Sequence, residues 1–328
     1  MKSWTTHDNG ITLGDSAEPL PGPGELLVRV LACGVCRTDL HVIDRDLPVH
    51  RAGVIPGHQV VGDVISVGDD VRTALVGDRV GVAWLHRTCG VCRWCRTGRE
   101  NLCPEALFTG WDVDGGYAEL ITVSEAYAYA LPRDADPVET APMLCAGIIG
   151  YRALQRAMLP PGGRLGIYGF GSSAHLTAQL AAAAGAEVFV MTRGEQNRVL
   201  ARSMGLSFVG GERDEPPVHL DSAIVFAPAG DLLPLALRAT ARGGTVVSAG
   251  IHMSEVPAMD YDTTLFPERD LRSVTANTRG DGDAFLALAR HLHVRPHVTV
   301  RPFEQLGEAL DDLRAGRASG SIVITLDD

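Results

Sequence analysis

Between residues 20 and 145 the chain carries short apolar runs, "ELLVRVLACGV", "QVVGDVISVG" and "GDRVGVAW", broken by glycine, proline and aspartate. Valine-rich runs of this length, bounded by turn residues, predict strands of an antiparallel, barrel-like domain. The pattern changes after Gly147. Residues 164–170 ("RLGIYGF"), 187–192 ("EVFVMT"), 222–227 ("SAIVFA"), 245–250 ("TVVSAG") and 271–276 ("LRSVTA") are apolar and strand-like. Helical segments lie between them. "SSAHLTAQLAAAAG" stops at Gly185 and "EQNRVLARSMG" at Gly205, each glycine suited to a left-handed helix end. Strands that alternate with helices in this way imply right-handed crossovers and a parallel sheet. Residues 279–328 add a helix, "GDAFLALARHL", and a last strand, "SIVITL". The fold class expected is α/β: a doubly wound parallel sheet at 147–278, and a mostly β domain at 1–146 to which 279–328 returns.

A length of 328 residues is long for one core and agrees with two domains. The 45% of apolar residues is enough to bury a core, which excludes a disordered chain. A net charge of −11 repels phosphate backbones and argues against nucleic acid as a partner. The start, "MKSWTTHDNG", has no apolar segment of the kind a signal peptide needs. "LTAQLAAAAGAEVFV" is apolar, but Gln179, Gly185 and Glu187 interrupt it and it is shorter than the ~20 residues of a membrane span. The expectation is a cytoplasmic protein with no membrane partner. Seven cysteines is an odd number, and in a reducing compartment it points to metal binding or catalysis rather than disulfides.

Four of the seven fall in one short run. Cys89, Cys92, Cys95 and Cys103 are spaced C-x2-C-x2-C-x7-C, within a lobe at 86–104. Spacings this close let one loop wrap a tetrahedral ion, and four thiolates leave no open position, so the set reads as a structural zinc. The spacing matches neither common iron–sulfur run. Four thiolates on zinc carry a net charge of about −2. Arg87, Arg93, Arg96 and Arg99 stand around the run and are expected to offset it.

Cys36 lies in "CGVCRTDLHV", His58 in "IPGHQVVG" and Cys145 in "APMLCAGIIGYRAL". Two thiolates and one imidazole are the donor set of a catalytic zinc with a free fourth position. Spacing does not bring the three together, and each alone reads as a core residue. By itself Thr38 reads as strand packing and His41 as a surface histidine. Cys33 reads as a small buried apolar residue.

The four-cysteine lobe, "GVCRTDLH", "GHQVVG", "LCAGIIGY" and the glycine-rich turn follow one another as in a known family. Through nearly its whole length the chain resembles the zinc-dependent alcohol dehydrogenases of the medium-chain dehydrogenase/reductase superfamily. The resemblance implies a GroES-like barrel for the catalytic domain and two zinc ions per chain. It implies Cys36, His58 and Cys145 as ligands of the catalytic zinc, with Asp39 orienting a ligand. Thr38 and His41 match the family's proton relay. One departure stands out: the family usually has Glu directly after the zinc histidine, where this chain has Gln59. Loss of that negative charge is expected to alter zinc exchange or the pKa of the bound alkoxide.

"GIYGFGSSA" places Gly169, Gly171 and Ala174 in G-x-G-x-x-A form, after a predicted strand and at the start of a predicted helix. That context makes it a dinucleotide fingerprint rather than an ordinary turn. Ser172 and Ser173 open the helix beside the pyrophosphate. NAD-dependent enzymes end the second strand on an acid that binds the ribose hydroxyls. Here the stretch is "VFVMTRGEQNRV", so Thr192, Arg193 and Arg198 favour a 2′-phosphate and NADP(H) over NAD(H). Related enzymes often carry an Arg for the pyrophosphate near the last strand. This chain has Ser321 there, and Arg37, beside the zinc cysteine, is the expected phosphate contact.

The function implied is reversible hydride transfer between a primary or secondary alcohol and NAD(P)+, giving an aldehyde or ketone. Trp84, Ile43 and Leu47 are expected to line an apolar pocket that accepts medium-chain and aromatic alcohols as well as ethanol. The zinc-free quinone and enoyl reductases of the same fold lack the three-ligand set. A regulatory module is disfavoured by the net charge and the intact relay. The partners expected are a small-molecule alcohol or aldehyde and further copies of the chain, as a homodimer or homotetramer.

Overall fold

The computed structural model describes residues 1–8 and 10–326, and the chain divides into two compact units. The first contains Met1–Cys145, Ala276–Ala284 and Val298–Asp328, the second Ala146–Thr275 and Phe285–His297.

The first unit opens on an antiparallel hairpin, β1 (Lys2–His7) and β2 (Gly10–Asp15). It continues with β3 (Glu25–Val35), α1 (Arg37–Ile43), β4 (Val60–Val67), β5 (Arg79–Val82), β6 (Leu85–Arg87) and α2 (Arg93–Arg96). β7 (Leu107–Phe108), β8 (Leu120–Ser124), β9 (Ala128–Ala130) and α3 (Pro137–Thr140) follow. β3 pairs with β4 and β8, and β4 leads through β5 to β9, all antiparallel. β3 is long and apolar, with Leu26, Val28, Val30 and Cys33 buried in one core with Val60, Val64, Tyr117 and Ile121. Close backbone approach fixes this sheet: a Cβ on Gly62 would meet the Arg29 carbonyl oxygen at 2.1 Å.

In the second unit, α4 (Ala146–Ala157) precedes β10 (Arg164–Tyr168), α5 (Ser172–Ala183), β11 (Glu187–Met191), α6 (Glu195–Ser203) and β12 (Phe208–Gly210). β13 (Leu220–Val225), α7 (Leu232–Ala239), β14 (Thr240–Ser248), α8 (Tyr261–Thr264) and β15 (Asp270–Ser273) complete the alternation. The six strands are parallel in the order β12-β11-β10-β13-β14-β15. That is the doubly wound order, and it reverses between β10 and β13, where such sheets bind ligands at the strands' carboxyl ends. Alternating strands and helices had led to the same fold class.

The chain ends with α9 (Arg279–His291), β16 (Val298–Pro302), α10 (Leu306–Arg314) and β17 (Ser321–Thr325). β17 joins the first unit's sheet antiparallel to β3 and parallel to β16. The expected return at 279–328 is not one piece. Phe285–His297 groups with the second unit, where fully buried Phe285 packs so closely on α4 that a Cβ on Gly147 would meet its ring at 2.3 Å. Several elements had no counterpart in the sequence reading, the β1–β2 hairpin and α1 among them. The β1–β2 hairpin is short and mostly polar, and α1 begins only two residues after a long strand.

Loop 72–74 is held by one carboxylate. Glu125 accepts from the Thr73 hydroxyl at 2.7 Å and from the backbone N–H groups of Arg72 (3.1 Å), Thr73 (2.6 Å) and Ala74 (2.8 Å). These bonds, that from the Thr73 hydroxyl first, lower its pKa from 4.5 to about 2. The folded value lies below the unfolded one. The carboxylate's stabilisation is therefore full above pH 4.5 and is lost as pH falls to about 2. Glu125→Gln is expected to lower the melting temperature at pH 7 and to flatten its decline between pH 4.5 and 2. Thermal unfolding followed by circular dichroism across that range checks both.

Candidate active site and metal centres

β3 ends at Val35, and the chain turns at Cys36 into α1. Asp39, in the first turn of that helix, accepts the Cys36 N–H at 2.8 Å through Oδ2, a local tie that holds the cysteine at the helix start. The same buried carboxylate accepts the Tyr117 hydroxyl at 2.7 Å and lies 2.9 Å from His58 Nδ1 through Oδ1. His58 is therefore fixed by its Nδ1 side and turns Nε2 to Cys145 Sγ, 3.3 Å away. The donor atoms of Cys36, His58 and Cys145 all lie within 4.8 Å of one another. Bonds of about 2.3 Å to sulfur and 2.0 Å to nitrogen at tetrahedral angles imply a sulfur–nitrogen edge of about 3.5 Å, close to the spacing found.

The cluster is rich in negative charge. Burial opposes a charged His58, yet Asp39 and Cys36 outweigh it and raise the imidazole pKa to about 10. The Cys36 thiol is held well below its ordinary range, chiefly by a hydrogen bond from Cys145, against the opposing effect of burial. Cys145 is pushed well up, first by that same bond and then by burial. Two soft thiols and an imidazole, backed by a buried carboxylate, fit a zinc ion.

The four-cysteine lobe is a second centre. Cys103 Sγ lies 3.5 Å from Cys89 Sγ, Cys92 Sγ 3.5 Å from Cys95 Sγ, and Cys89 Sγ 4.0 Å from Cys95 Sγ. Zinc–sulfur bonds of about 2.3 Å demand sulfur–sulfur edges of about 3.8 Å, which these distances bracket. Backbone N–H groups of Val91 and Cys92 favour the Cys89 thiolate and lower its pKa to about 7, whereas burial raises Cys103 to about 11. Two of the four arginines have an aromatic partner as well. Arg93 and Arg99 stack on Trp94, 4.1 and 4.6 Å from its ring, so part of their role is to clasp that exposed lobe.

In the second unit the glycine-rich turn joins β10 to α5. Gly169 has φ +86°, and a Cβ there would meet the Ala227 N at 2.8 Å. Gly171 caps α5, and a Cβ on it would meet nothing within 4 Å, which leaves the helix N-terminus open to a pyrophosphate. Ser172 and Ser173 form the first helical turn, and fully buried Ala174 packs beneath it with Ala153, Ile167 and Phe170.

The Alcohol dehydrogenase GroES-like domain family matches residues 22–133. A probable alcohol dehydrogenase, AdhA, of Mycobacterium tuberculosis is 56% identical over 94% of this chain and 90% of its own length. The chain belongs to the zinc-dependent alcohol dehydrogenases of the medium-chain dehydrogenase/reductase superfamily. Among solved structures, CAD from Helicobacter pylori complexed with NADP(H) superposes with a TM-score of 0.91 at 25% identity, covering 99% of this chain and 97% of that one. A cobalt- and zinc-bound thermostable alcohol dehydrogenase from Pyrobaculum aerophilum gives 0.89 at 26% identity over 99% of both chains. This dehydrogenase interconverts alcohols with aldehydes or ketones by hydride exchange with a nicotinamide dinucleotide, and zinc serves it as cofactor.

Beside the three donors, Thr38 is buried and its hydroxyl lies 3.6 Å from Cys36 Sγ. It is a helix residue rather than a strand residue, and His41 lies one turn further on the same face of α1. His41 Nδ1 meets Asp46 Oδ2 at 2.8 Å, a partner that the sequence reading missed. No spacing rule marks it, because a tight turn after α1 brings Asp46 back. Arg37 is exposed at the start of α1. Ser321 opens buried β17.

Trp84 packs edge-on to His58 with ring centroids 4.8 Å apart, and stacks with Phe108 and Trp111 at 5.1 and 5.9 Å. Val42 and Leu47 pack in the same cluster, whereas Ile43 belongs to the barrel core. Ile43 therefore gives up the wall position expected of it to Val42, since adjacent helical residues face different ways. Phe108 and Trp111 were likewise missed. Cys33 is fully buried, and burial pushes its thiol pKa well up, as expected of a small packing residue. Gln59 is buried with its side chain against Gly34.

At the cofactor side Arg193 is exposed. Thr192 differs from the expectation: it is buried, and its hydroxyl accepts the Phe170 N–H at 3.1 Å and faces the Arg193 carbonyl at 3.3 Å. It props the glycine-rich turn from below instead of facing a phosphate.

Zinc analysis of the purified enzyme is expected to give two ions per chain. Asp39→Asn should weaken zinc at the three-ligand centre about 10- to 100-fold and leave the four-cysteine centre loaded. Competition with a graded chelator, read as zinc per chain, checks both statements.

Proposed function

We propose that Cys36, His58 and Cys145 hold the catalytic zinc and that Cys89, Cys92, Cys95 and Cys103 hold a structural one. The single observation behind the first assignment is the meeting of three donors from separate parts of the chain over one buried carboxylate. When bound, zinc supplies Lewis acidity toward the substrate oxygen, and the nicotinamide exchanges hydride with the substrate. The chain's own residues handle the proton. Thr38 receives it beside the metal ligands, His41 delivers it to solvent, and Asp46 orients the imidazole. Met1–Cys145, with the returning segments Ala276–Ala284 and Val298–Asp328, serve as the catalytic domain, and Ala146–Thr275 with Phe285–His297 as the cofactor domain.

Gly169, Gly171, Ser172, Ser173 and Ala174 cradle the pyrophosphate, with Arg37 as an added phosphate contact. Arg193 and Arg198 favour NADP(H), since no acid ends β11 to repel a 2′-phosphate. The aromatic wall of Trp84, Phe108 and Trp111, closed by Val42 and Leu47, suits medium-chain and aromatic alcohols. Homodimers or homotetramers are supported by the open edge of β15, which among the described residues pairs only with β14, and by exposed Ile251, Tyr261 and Phe266 nearby in the chain. Among the described residues no helix is long and apolar enough to cross a membrane, in keeping with a cytoplasmic enzyme.

An activity scan with both cofactors tests this reading. The expected kcat/KM is higher with NADPH than with NADH, and rises from ethanol to hexanol and benzyl alcohol. A steep fall with chain length would contradict the pocket. Asp46→Asn is expected to lower kcat about tenfold with little change in alcohol KM, and to enlarge the solvent deuterium isotope effect, because the imidazole loses its orienting partner.

A further inference from the structure

Just past the end of β11, the carboxylate of Glu195 bridges two arginines of α6. Its Oε2 accepts from Arg198 Nε at 2.9 Å and Nη2 at 2.8 Å, and its Oε1 accepts from Arg202 Nη1 at 2.8 Å. The remaining arm of Arg198, Nη1, donates to the Thr192 carbonyl at 3.2 Å. The guanidinium is thus moored at the mouth of the strand with one full N–H edge turned to Glu195. It is the less exposed partner, 27% against 61% for the carboxylate, so the carboxylate is the one free to leave.

We propose that Glu195 is an internal competitor for the cofactor's 2′-phosphate: it occupies the Arg198 edge that the phosphate takes, and so sets the ratio of NADP(H) to NAD(H) affinity. The inference rests on the NADP(H) reading above. A phosphate monoester carries more charge and more acceptor oxygens than a carboxylate, and exposed carboxylate–arginine pairs are weak. The phosphate therefore displaces Glu195 onto Arg202 alone, at the cost of one ion pair and of a like charge left nearby. A ribose hydroxyl makes no such demand, and with NAD(H) the Glu195 bridge stays closed. Glu195 thus narrows the preference that Arg193 and Arg198 would otherwise give.

Calorimetric binding of 2′,5′-ADP and of 5′-AMP to the zinc-loaded full chain separates the two charge states without turnover. Glu195→Gln is expected to bind 2′,5′-ADP about five- to tenfold tighter and to leave 5′-AMP within about twofold. The gain should shrink as salt rises from about 50 to 500 mM and vanish in the Glu195→Gln/Arg198→Gln double variant. If wild type prefers 2′,5′-ADP and Glu195→Gln leaves that preference unchanged, Glu195 is a bystander and the NADP(H) reading survives. If neither protein distinguishes the two nucleotides, the NADP(H) reading falls and the competitor role falls with it.

Discussion

One buried carboxylate organises the three-donor cluster of Cys36, His58 and Cys145. Asp39 is 1% exposed and receives the Cys36 N–H, the Tyr117 hydroxyl and the His58 ring. A buried acid without partners would be strongly unfavourable, so each of these groups must be in place for the unit to fold as it does. The demand runs in both directions. Asp39 stabilises the start of α1, which aims Cys36, and it holds His58 by Nδ1, which leaves Nε2 turned toward Cys145 Sγ. Tyr117 carries the same restraint into the β-sheet core, where Gly57, Cys33 and Tyr117 pack with no room for a Cβ on the glycine.

The two metal centres solve different problems. The four-cysteine set is local, closes on itself and fills all four positions, so its exposed lobe needs little core beneath it. The three-donor set draws on the start of α1, the loop before β4 and the residue before α4, and its order depends on the whole barrel. An aromatic wall beside it adds shape. Trp84 lies against the His58 imidazole and passes contact on to Phe108 and Trp111, so the three-donor cluster and the aromatic cluster share one side chain.

In the second unit the cofactor turn is held from below. Thr192 closes β11 by accepting the Phe170 N–H, and Ala174 fits beneath the first turn of α5. The strand end expected to recognise the ribose thus supports the glycine-rich turn. The charged groups lie further out, on α6, where Glu195 bridges Arg198 and Arg202.

Much of this was legible in the residues alone. Strand and helix alternation, the glycine fingerprint and the four-cysteine spacing are local patterns, set by backbone geometry within a few residues, and a linear reading captures them. The barrel strands were legible for the same reason, while α1 hid behind the long strand that runs into it. Convergence of Cys36, His58 and Cys145 became readable only through family resemblance, because nothing in a spacing of 22 or 87 residues obliges side chains to meet. Tertiary structure alone decided the roles that depend on packing. Asp46 became the partner of His41 through a turn, Val42 displaced Ile43 from the aromatic cluster by helix phase, and Thr192 went inward. In each case the deciding term was which way a side chain faces once the core is filled, and that is a property of the assembled unit rather than of any short stretch.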